Sequence, residues 1–206
     1  NARTPGTEAD LVAARARAAR LGRRAEPGLW AVGGAVFHTE VSDITAVLPS
    51  GGDRGEQADM TSRGFEGSIG YTGARGYARL NYTHANVELD GDTVATTAYY
   101  LGRPVGSIVA LEAGYDIRDN WRIGGSAEIA IESDATDPEL PGYEVFNLYT
   151  TYTPKGFENL ELRLDVKNVF DATYSSRSSD GLDFTQSVVP LTEPGRTVLL
   201  TATMRC

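Results

Sequence analysis

The sequence predicts an all-β protein, an antiparallel transmembrane β-barrel segment of about eight strands, preceded by a short Ala/Arg-rich leader. Three observations support this fold class: apolar and polar residues alternate from Gly28 onward, long and short connections alternate strictly, and aromatic residues fall near the strand ends. No stretch approaches the ~18 consecutive apolar residues of a membrane-spanning helix, so only strands are left to cross a bilayer.

Composition narrows the possible functions. Hydrophobic residues make up 41% of the 206-residue chain, which argues against disorder. The 19 basic and 28 acidic residues give a net charge of −9, which argues against non-specific nucleic-acid binding. The single cysteine, Cys206, excludes an internal disulfide and a cysteine-cluster metal site.

Residues 1–27 are unlike the rest of the chain, and residues 28–206 are assigned to the barrel. Six arginines and three acidic residues up to Glu26 give the leader a charge of +3, so the remainder carries −12 (−9 − 3). One interpretation is an amphipathic basic helix for a membrane surface or for targeting. The preferred one is a leader without a defined role, either disordered or helical because Ala and Arg favour helix.

Eight strands are expected in order along the barrel part. The clearest runs from Leu160 to Phe170, where Leu160, Leu162, Leu164 and Val166 point one way and the charged residues between them point the other. The strands are placed at about 28–48, 61–72, 76–88, 109–116, 122–129, 146–153, 160–170 and 196–206.

The connections between these strands indicate which kind of β protein this is. Long connections are expected at 49–60, 89–105, 133–142 and 174–195, and short ones at 72–75, 118–120 and 154–158. Long loops on one side and tight turns on the other are the plan of an outer-membrane barrel. A soluble sandwich or lipocalin-like barrel also alternates, but it gives no reason for such loop asymmetry.

The side chains of the two strand faces fit this interpretation. Tyr71, Tyr82, Tyr115, Trp121 and Tyr152 lie near strand ends on or beside the apolar face, as in the aromatic girdles of membrane barrels. Nine charged residues are expected to form a network on the inward face. They are Glu66, Arg79, Glu112, Asp116, Arg122, Glu128, Arg163, Asp165 and Lys167.

Four segments resemble TonB-dependent outer-membrane receptors. Residues 165–174, DVKNVFDATY, resemble the (V)xNxFDxxY segment of the penultimate strand, and residues 194–205, PGRTVLLTATMR, are similar to the closing PGRxxxxxxxxF strand. Residues 27–44 resemble a strand ending in an F…SDxI signature, although Ile44 follows Asp43 directly. Residues 63–66, RGFE, are similar to the xGxE that opens the next strand.

These matches follow the family's order, cover about residues 27–206, and are nearest to the haem and siderophore receptors. The residues at the family's motif positions are Asn168, Phe170, Asp171, Tyr174, Pro194, Gly195, Arg196 and, at the terminal position, Cys206. Cys206 departs from the family, which has a terminal aromatic residue at that position.

The resemblance implies a barrel of 22 strands closed around a plug in the outer membrane of a Gram-negative bacterium. Such receptors import an iron chelate, a siderophore or haem, with energy relayed by TonB. Their partners are outer-membrane lipid, the barrel-assembly machinery, the plug domain and TonB. This chain would supply the last eight strands, and the odd leader and Cys206 suggest a truncated or frame-disrupted product that does not transport.

Site chemistry is sparse. His38 and His84 are candidates for haem ligation, although His84 shares the face of Leu80 and Tyr82, away from the lumen. The Asp90–Asp92 and Ser179–Asp183 segments carry carboxylates that suit Ca²⁺, but ordinary solvated turns explain them better. No convincing catalytic arrangement is present, since nothing marks one serine as the partner of a histidine. We therefore expect neither an enzyme nor a bound cofactor.

Two alternatives remain open at this point. One is a stand-alone eight-stranded outer-membrane barrel, an adhesin, an anchor or a small enzyme, whose narrow interior the inward charges would fill. The other is a soluble all-β binding protein.

Overall fold

The computed structural model describes residues 28–46, 56–93, 106–133, 140–177, 182–183, 188–189 and 191–205. The leader, residues 1–27, and Cys206 lie outside the described residues.

Eight long strands account for most of the described chain. They are β1 (Leu29–Ala46), β2 (Glu56–Thr72), β3 (Gly76–Leu89), β5 (Gly106–Arg118), β6 (Trp121–Ile131), β7 (Tyr143–Tyr152), β8 (Leu160–Lys167) and β11 (Thr197–Met204). Three two-residue strands accompany them: β4 (Asp92–Thr93), β9 (Leu182–Asp183) and β10 (Val188–Val189). The prediction of an all-β fold with about eight strands is confirmed.

The long strands form one antiparallel sheet in the order β1-β2-β3-β5-β6-β7-β8-β11, so each strand pairs with the next long strand along the chain. The short β4 pairs with β3, and β9 pairs with β10 in a separate ribbon. Within the described residues β1 and β11 stand at opposite ends of the sheet and have one neighbour each. The sheet is therefore open here, and the count of 22 strands stays a prediction.

Four strand boundaries differ from the prediction by three residues or more: β5 and β7 each begin three residues early, and the start of β2 and the end of β8 differ for reasons that the structure shows. β2 begins at Glu56, whereas a loop was expected up to Met60, because its first residues continue the ladder with β1 as far as the Ala46–Glu56 pair. β8 ends at Lys167 rather than at Phe170, because Asn168 adopts a left-handed backbone conformation with φ of 49° that leaves the extended strand. The alternation of long and short connections is as predicted.

One face of the sheet, the apolar face, carries large exposed hydrophobic side chains. Cross-strand pairs such as Leu80–Leu111 and Val166–Val198 run across it. Its exposed members include Trp30, Val32, Val36, Phe65, Ile69, Leu80, Leu111, Tyr115, Trp121, Ile123, Ile131, Leu148, Tyr152, Leu164, Val198, Leu200 and Met204. The long strands contact only their paired neighbours, so no described strand covers this face. An exposed apolar surface of this extent indicates contact with a membrane or a partner.

A small buried core lies at the long-loop end of the opposite face. Ala130, Tyr143 and Val145 form its centre, with Ile108 and Tyr174 packed against them. Among the described residues, no helix has the length and apolarity needed to cross a membrane.

Candidate functional site

The face opposite the apolar face, here called the polar face, gathers the polar side chains of the sheet. The strand register places all nine predicted inward charges on this face. For example, Arg79 is the cross-strand neighbour of Glu112, and Arg122 is the cross-strand neighbour of Asp116. This face borders an open hollow of about 880 Å³. The sequence prediction of a charged network on one face therefore has a matching arrangement of side chains.

Tyr149 of β7 lies at the centre of the polar face. Its hydroxyl is 3.2 Å from the hydroxyl of Tyr77, which in turn donates a 2.8 Å hydrogen bond to Oε1 of Glu112. The guanidinium of Arg163 lies over the Tyr149 ring at 4.3 Å from its centroid. These contacts join β3, β5, β7 and β8 across the face, and such a network holds the strands in register.

Two glycines make room for these tyrosine rings. A Cβ atom added to Gly124 would lie 2.5 Å from Cζ of Tyr149, and one added to Gly114 would lie 2.6 Å from Cε1 of Tyr77. Real Cβ atoms do not approach that closely, so glycine at both positions lets the rings lie flat against the sheet. The high glycine and tyrosine content of the sequence thus has a common structural reason at this site.

Ion pairs and further hydrogen bonds complete the network. Arg163 Nη2 is 2.7 Å from Asp165 Oδ1, and Arg122 Nε is 2.6 Å from Asp116 Oδ1. Nearer the long loops, the Tyr143 hydroxyl donates a 2.6 Å bond to Glu128 Oε1. Four of the nine inward charges form these two ion pairs, and Glu112 and Glu128 accept hydrogen bonds from tyrosines, so the polar face resembles a water-exposed wall more than a catalytic centre.

The residues of the (V)xNxFDxxY and PGR segments meet where β8 ends and β11 begins; we call this group the strand junction. Asn168 is 3% exposed, and its side-chain amide donates to the carbonyl oxygens of Ala172 at 2.8 Å and Pro194 at 3.2 Å. Its Oδ1 accepts a 2.8 Å bond from the Ala172 amide, and its own backbone amide donates to Oδ1 of Asn147. One buried side chain thus ties two segments that are far apart in sequence.

Asp171 forms the second half of the strand junction. Its backbone has a φ of 57°, and its Oδ1 accepts a 2.7 Å bond from the amide of Arg196. A Cβ atom at Gly195 would lie 2.7 Å from that oxygen, so the glycine is needed for the close approach. The motif residues therefore set the start of β11, whose first pair is Thr197 with Lys167.

Two aromatic motif residues lie on either side of this junction. Phe170 is 71% exposed and meets Phe146 edge-on at 5.3 Å between ring centroids. The Tyr174 ring packs at a tilt against Tyr143, with 4.8 Å between the ring centroids, and burial together with nearby Glu193 raises the pKa of Tyr174. The chain after β8 is thereby fastened to the inner core at the long-loop end.

Arg177 connects the segment after β8 to β6 by a hydrogen bond. Its Nη2 donates a 2.7 Å bond to the carbonyl of Ile131, and its backbone amide donates to the Tyr143 hydroxyl. Burial lowers the pKa of its guanidinium, whose Nε has no hydrogen-bond partner in the part of the chain that the structure describes.

Neither candidate histidine lies on the polar face. Nε2 of His38 is 2.8 Å from Oε1 of Glu40, and both side chains are exposed. Nδ1 of His84 is 2.8 Å from Oγ of Ser107, beside the Phe65 ring. A role for either residue in haem ligation stays a prediction.

The contact between His84 and Ser107 was not found from the sequence, because only the β3–β5 register brings the two together. A serine hydroxyl beside a histidine is a nucleophile–base pair, but no carboxylate or amide of the described chain hydrogen-bonds the other imidazole nitrogen as the third member of a triad. The described residues likewise contain no group of three or more metal-ligating side chains. Asp90 and Gly91 form the turn between β3 and β4, with φ angles of 50° and 88°.

Comparison with known proteins gives this geometry a context. A family model described as TonB dependent receptor-like, beta-barrel matches residues 3–169. The match begins inside residues 1–27, and the division of the chain at residue 27 stays a prediction. The heme transporter BhuA of Brucella ovis is 26% identical over 179 residues, and that of Brucella suis is 26% identical over 185 residues. Each alignment covers 82% of this chain and 26% of the relative, so the chain spans about a quarter of their length.

Solved structures share the fold at lower identity. The copper transporter OprC superposes with a TM-score of 0.67 at 15% identity, over 89% of this chain and 30% of that one. The FrpB iron transporter of Neisseria meningitidis superposes with a TM-score of 0.67 at 18% identity, over 89% of this chain and 29% of the transporter. The ferric-catecholate import receptor Fiu of E. coli superposes with a TM-score of 0.61 at 20% identity, over 87% of this chain and 25% of the receptor. At these identities the likeness concerns the fold alone.

Proposed function

Because the chain belongs to the TonB-dependent receptor-like β-barrel family, we propose that it is the C-terminal barrel part of an outer-membrane receptor for the uptake of iron chelates. Members of this family are transport receptors of the Gram-negative outer membrane rather than enzymes. The cargo of the complete receptor is haem or a ferric siderophore. Haem is placed first because the curated relatives are named heme transporters.

One observation carries this proposal: the described residues form a single-layered sheet with a polar face and an apolar face that no described strand covers. A soluble protein would cover that apolar surface with a second layer, whereas a bilayer provides the cover itself. In the complete receptor the polar face would line the lumen and contact the plug. The apolar face would contact outer-membrane lipid after insertion by the barrel-assembly machinery.

Within the described residues both edges of the sheet are open, and this supports the view that further strands belong to the working barrel. Unpaired backbone groups are costly in hydrocarbon, so β1 and β11 need strand partners within the bilayer. The plug and TonB act only in such a complete receptor, and this chain alone does not transport.

Growth of the source bacterium on defined iron sources tests the proposal. Deleting the reading frame is expected to abolish growth when hemin or one ferric siderophore is the sole iron source, and to leave growth on ferrous salt unchanged. The complete reading frame, with any strands encoded upstream, should restore growth, and the 206-residue chain alone should not. Normal growth of the deletion strain on every chelate would contradict the receptor function, and rescue by the chain alone would contradict its transport incompetence.

A further inference from the structure

A groove of about 840 Å³ lies on the apolar face, at the end of the sheet where the tight turns are. Side chains of the apolar face that line it come from β2 to β8 and include Tyr71, Ala78, Ala113, Tyr115, Ile123 and Leu148. Its volume falls within the range of ~300–1,000 Å³ that is typical of small-molecule sites. A sheet face that only contacts the surrounding bulk lipid does not require a hollow of this size.

The hollow exists because small residues oppose one another across three strands. Ala78 of β3 pairs with Ala113 of β5, which pairs with Gly125 of β6. The neighbouring Tyr115 and Leu148 stand higher and form its sides. The floor is therefore backbone and methyl groups, a surface suited to a flexible hydrocarbon chain.

Arg75 stands at the rim of this groove, in the turn between β2 and β3. Its Nε donates to the carbonyl of Asp116 at 2.9 Å and its Nη2 to the carbonyl of Ile117 at 2.7 Å, so the guanidinium is held in place. It lies 6.0 Å from the centroid of the Tyr115 ring. The Asp116 carboxylate pairs with Arg122, and no carboxylate of the described chain forms an ion pair with Arg75.

We propose that this groove is a specific site for an anionic phospholipid of the leaflet on the tight-turn side. An acyl chain fills the hollow over Ala78, Ala113 and Gly125, and the headgroup phosphate accepts hydrogen bonds from Arg75. Tyr71 and Tyr115 line the same groove as the arginine, near the strand ends where amphipathic rings meet lipid headgroups. The inference rests on the membrane position that the proposed function gives to this face.

The two tryptophans of the chain are natural reporters for this site. The Trp30 ring is 4.9 Å from Tyr71, and Trp121 Nε1 donates a 2.8 Å bond to Oγ1 of Thr150, which lines the groove. With no other tryptophan in the chain, lipids brominated on their acyl chains should quench the fluorescence when they occupy it.

The test measures this quenching for the full chain in bilayers that contain brominated phosphatidylglycerol or brominated phosphatidylcholine at equal mole fraction. Wild type is expected to prefer phosphatidylglycerol about five-fold, the effect of one arginine at an anionic headgroup. Arg75→Gln should lose the preference and Arg75→Lys should keep most of it. Arg118→Gln, which removes the same charge from a neighbouring turn outside the groove, should change nothing.

A second pair of variants tests the hollow without touching the turn. Ala113→Leu should reduce quenching by phosphatidylglycerol, whereas Ala202→Leu, on the apolar face of β11 but outside the groove, should not. Equal quenching of wild type by both lipids, or equal effects of Arg75→Gln and Arg118→Gln, would overturn the proposal. Absence of quenching by either lipid would instead overturn the membrane position of the sheet, and the lipid site with it.

Discussion

At the scale of single residues, Asn168 shows how one side chain can organise two distant segments. It is buried, it has a positive φ, and its side chain and amide make four hydrogen bonds. Asparagine tolerates the left-handed region better than most residues, and its side chain both donates and accepts. The strand junction therefore needs this residue type for two independent reasons.

Substitution at this position should separate the two reasons. We expect Asn168→Ala to lower the free energy of unfolding by about 2–4 kcal/mol, because it leaves buried backbone groups unpaired. Asn168→Gly loses the same bonds but relieves the backbone, so it should be about 1 kcal/mol more stable than the alanine variant. Urea titration in detergent micelles measures both, with the exposed Asn86→Ala as control. A wild-type stability for Asn168→Ala would contradict the role of the junction.

The glycine beneath Tyr149 leads to a second prediction at this scale. Gly124→Ala places a methyl group where the ring and the Ala113 carbonyl lie, so we expect a loss of about 1–3 kcal/mol in unfolding free energy. Gly67→Ala is the matched control, because nothing lies within 4 Å of an added Cβ there, and it should be neutral or slightly stabilising. Thermal unfolding followed by circular dichroism distinguishes them, and equal losses would refute the packing argument.

At the scale of elements, neighbouring residues of β5 show the contrast between the two faces. Leu111 is 44% exposed on the apolar face, while the adjacent Ala110 lies on the polar face opposite Asn81 and Glu128. In water an arginine at either position would be tolerated. In a bilayer an arginine would be tolerated only at the polar-face position, Ala110, because hydrocarbon solvates a charge poorly.

This contrast predicts opposite outcomes for neighbouring residues. Leu111→Arg should cost about 2–4 kcal/mol of stability in lipid bilayers, whereas Ala110→Arg should cost less than about 1 kcal/mol. The measurement is reversible urea unfolding in liposomes, with tryptophan fluorescence as the signal. If Leu111→Arg were neutral, the apolar face would not be facing lipid.

At the scale of the whole molecule, the two edge strands decide how the sheet is used. β1 has 18 residues and β11 has 8, so direct closure between them would leave much of β1 unpaired. Under the proposed function, further strands of a larger barrel would supply the partners for both edges.

Electrophoresis gives a prediction for the intact chain. A closed barrel stays folded in SDS until it is boiled and migrates differently before and after heating. We expect the detergent-folded chain to show no such shift, because its edges stay open. A heat-dependent shift would favour the closed small barrel instead. Recovery of a soluble monomer without detergent would contradict both membrane interpretations.

Much of the fold was predictable because its periodicity is local. Alternation in runs such as residues 160–167 assigns each side chain to a face without knowledge of any partner strand. The strand ends were less predictable: β2 extends back to Glu56 through pairing with β1, and β8 stops where Asn168 turns. Both ends depend on contacts with other segments, which periodicity does not contain.

By itself the sequence determined the all-β class, the two faces, the order of the strands and the family motifs, because each follows from spacing along the chain. Only the tertiary structure decided that Asn168 and Asp171 hold the start of β11, that Gly124 makes room for Tyr149, and that Arg75 stands over an apolar groove. The contacts behind these features join residues that lie 25 to 42 positions apart. Their distances depend on register and on the packing of whole strands, neither of which a local pattern specifies.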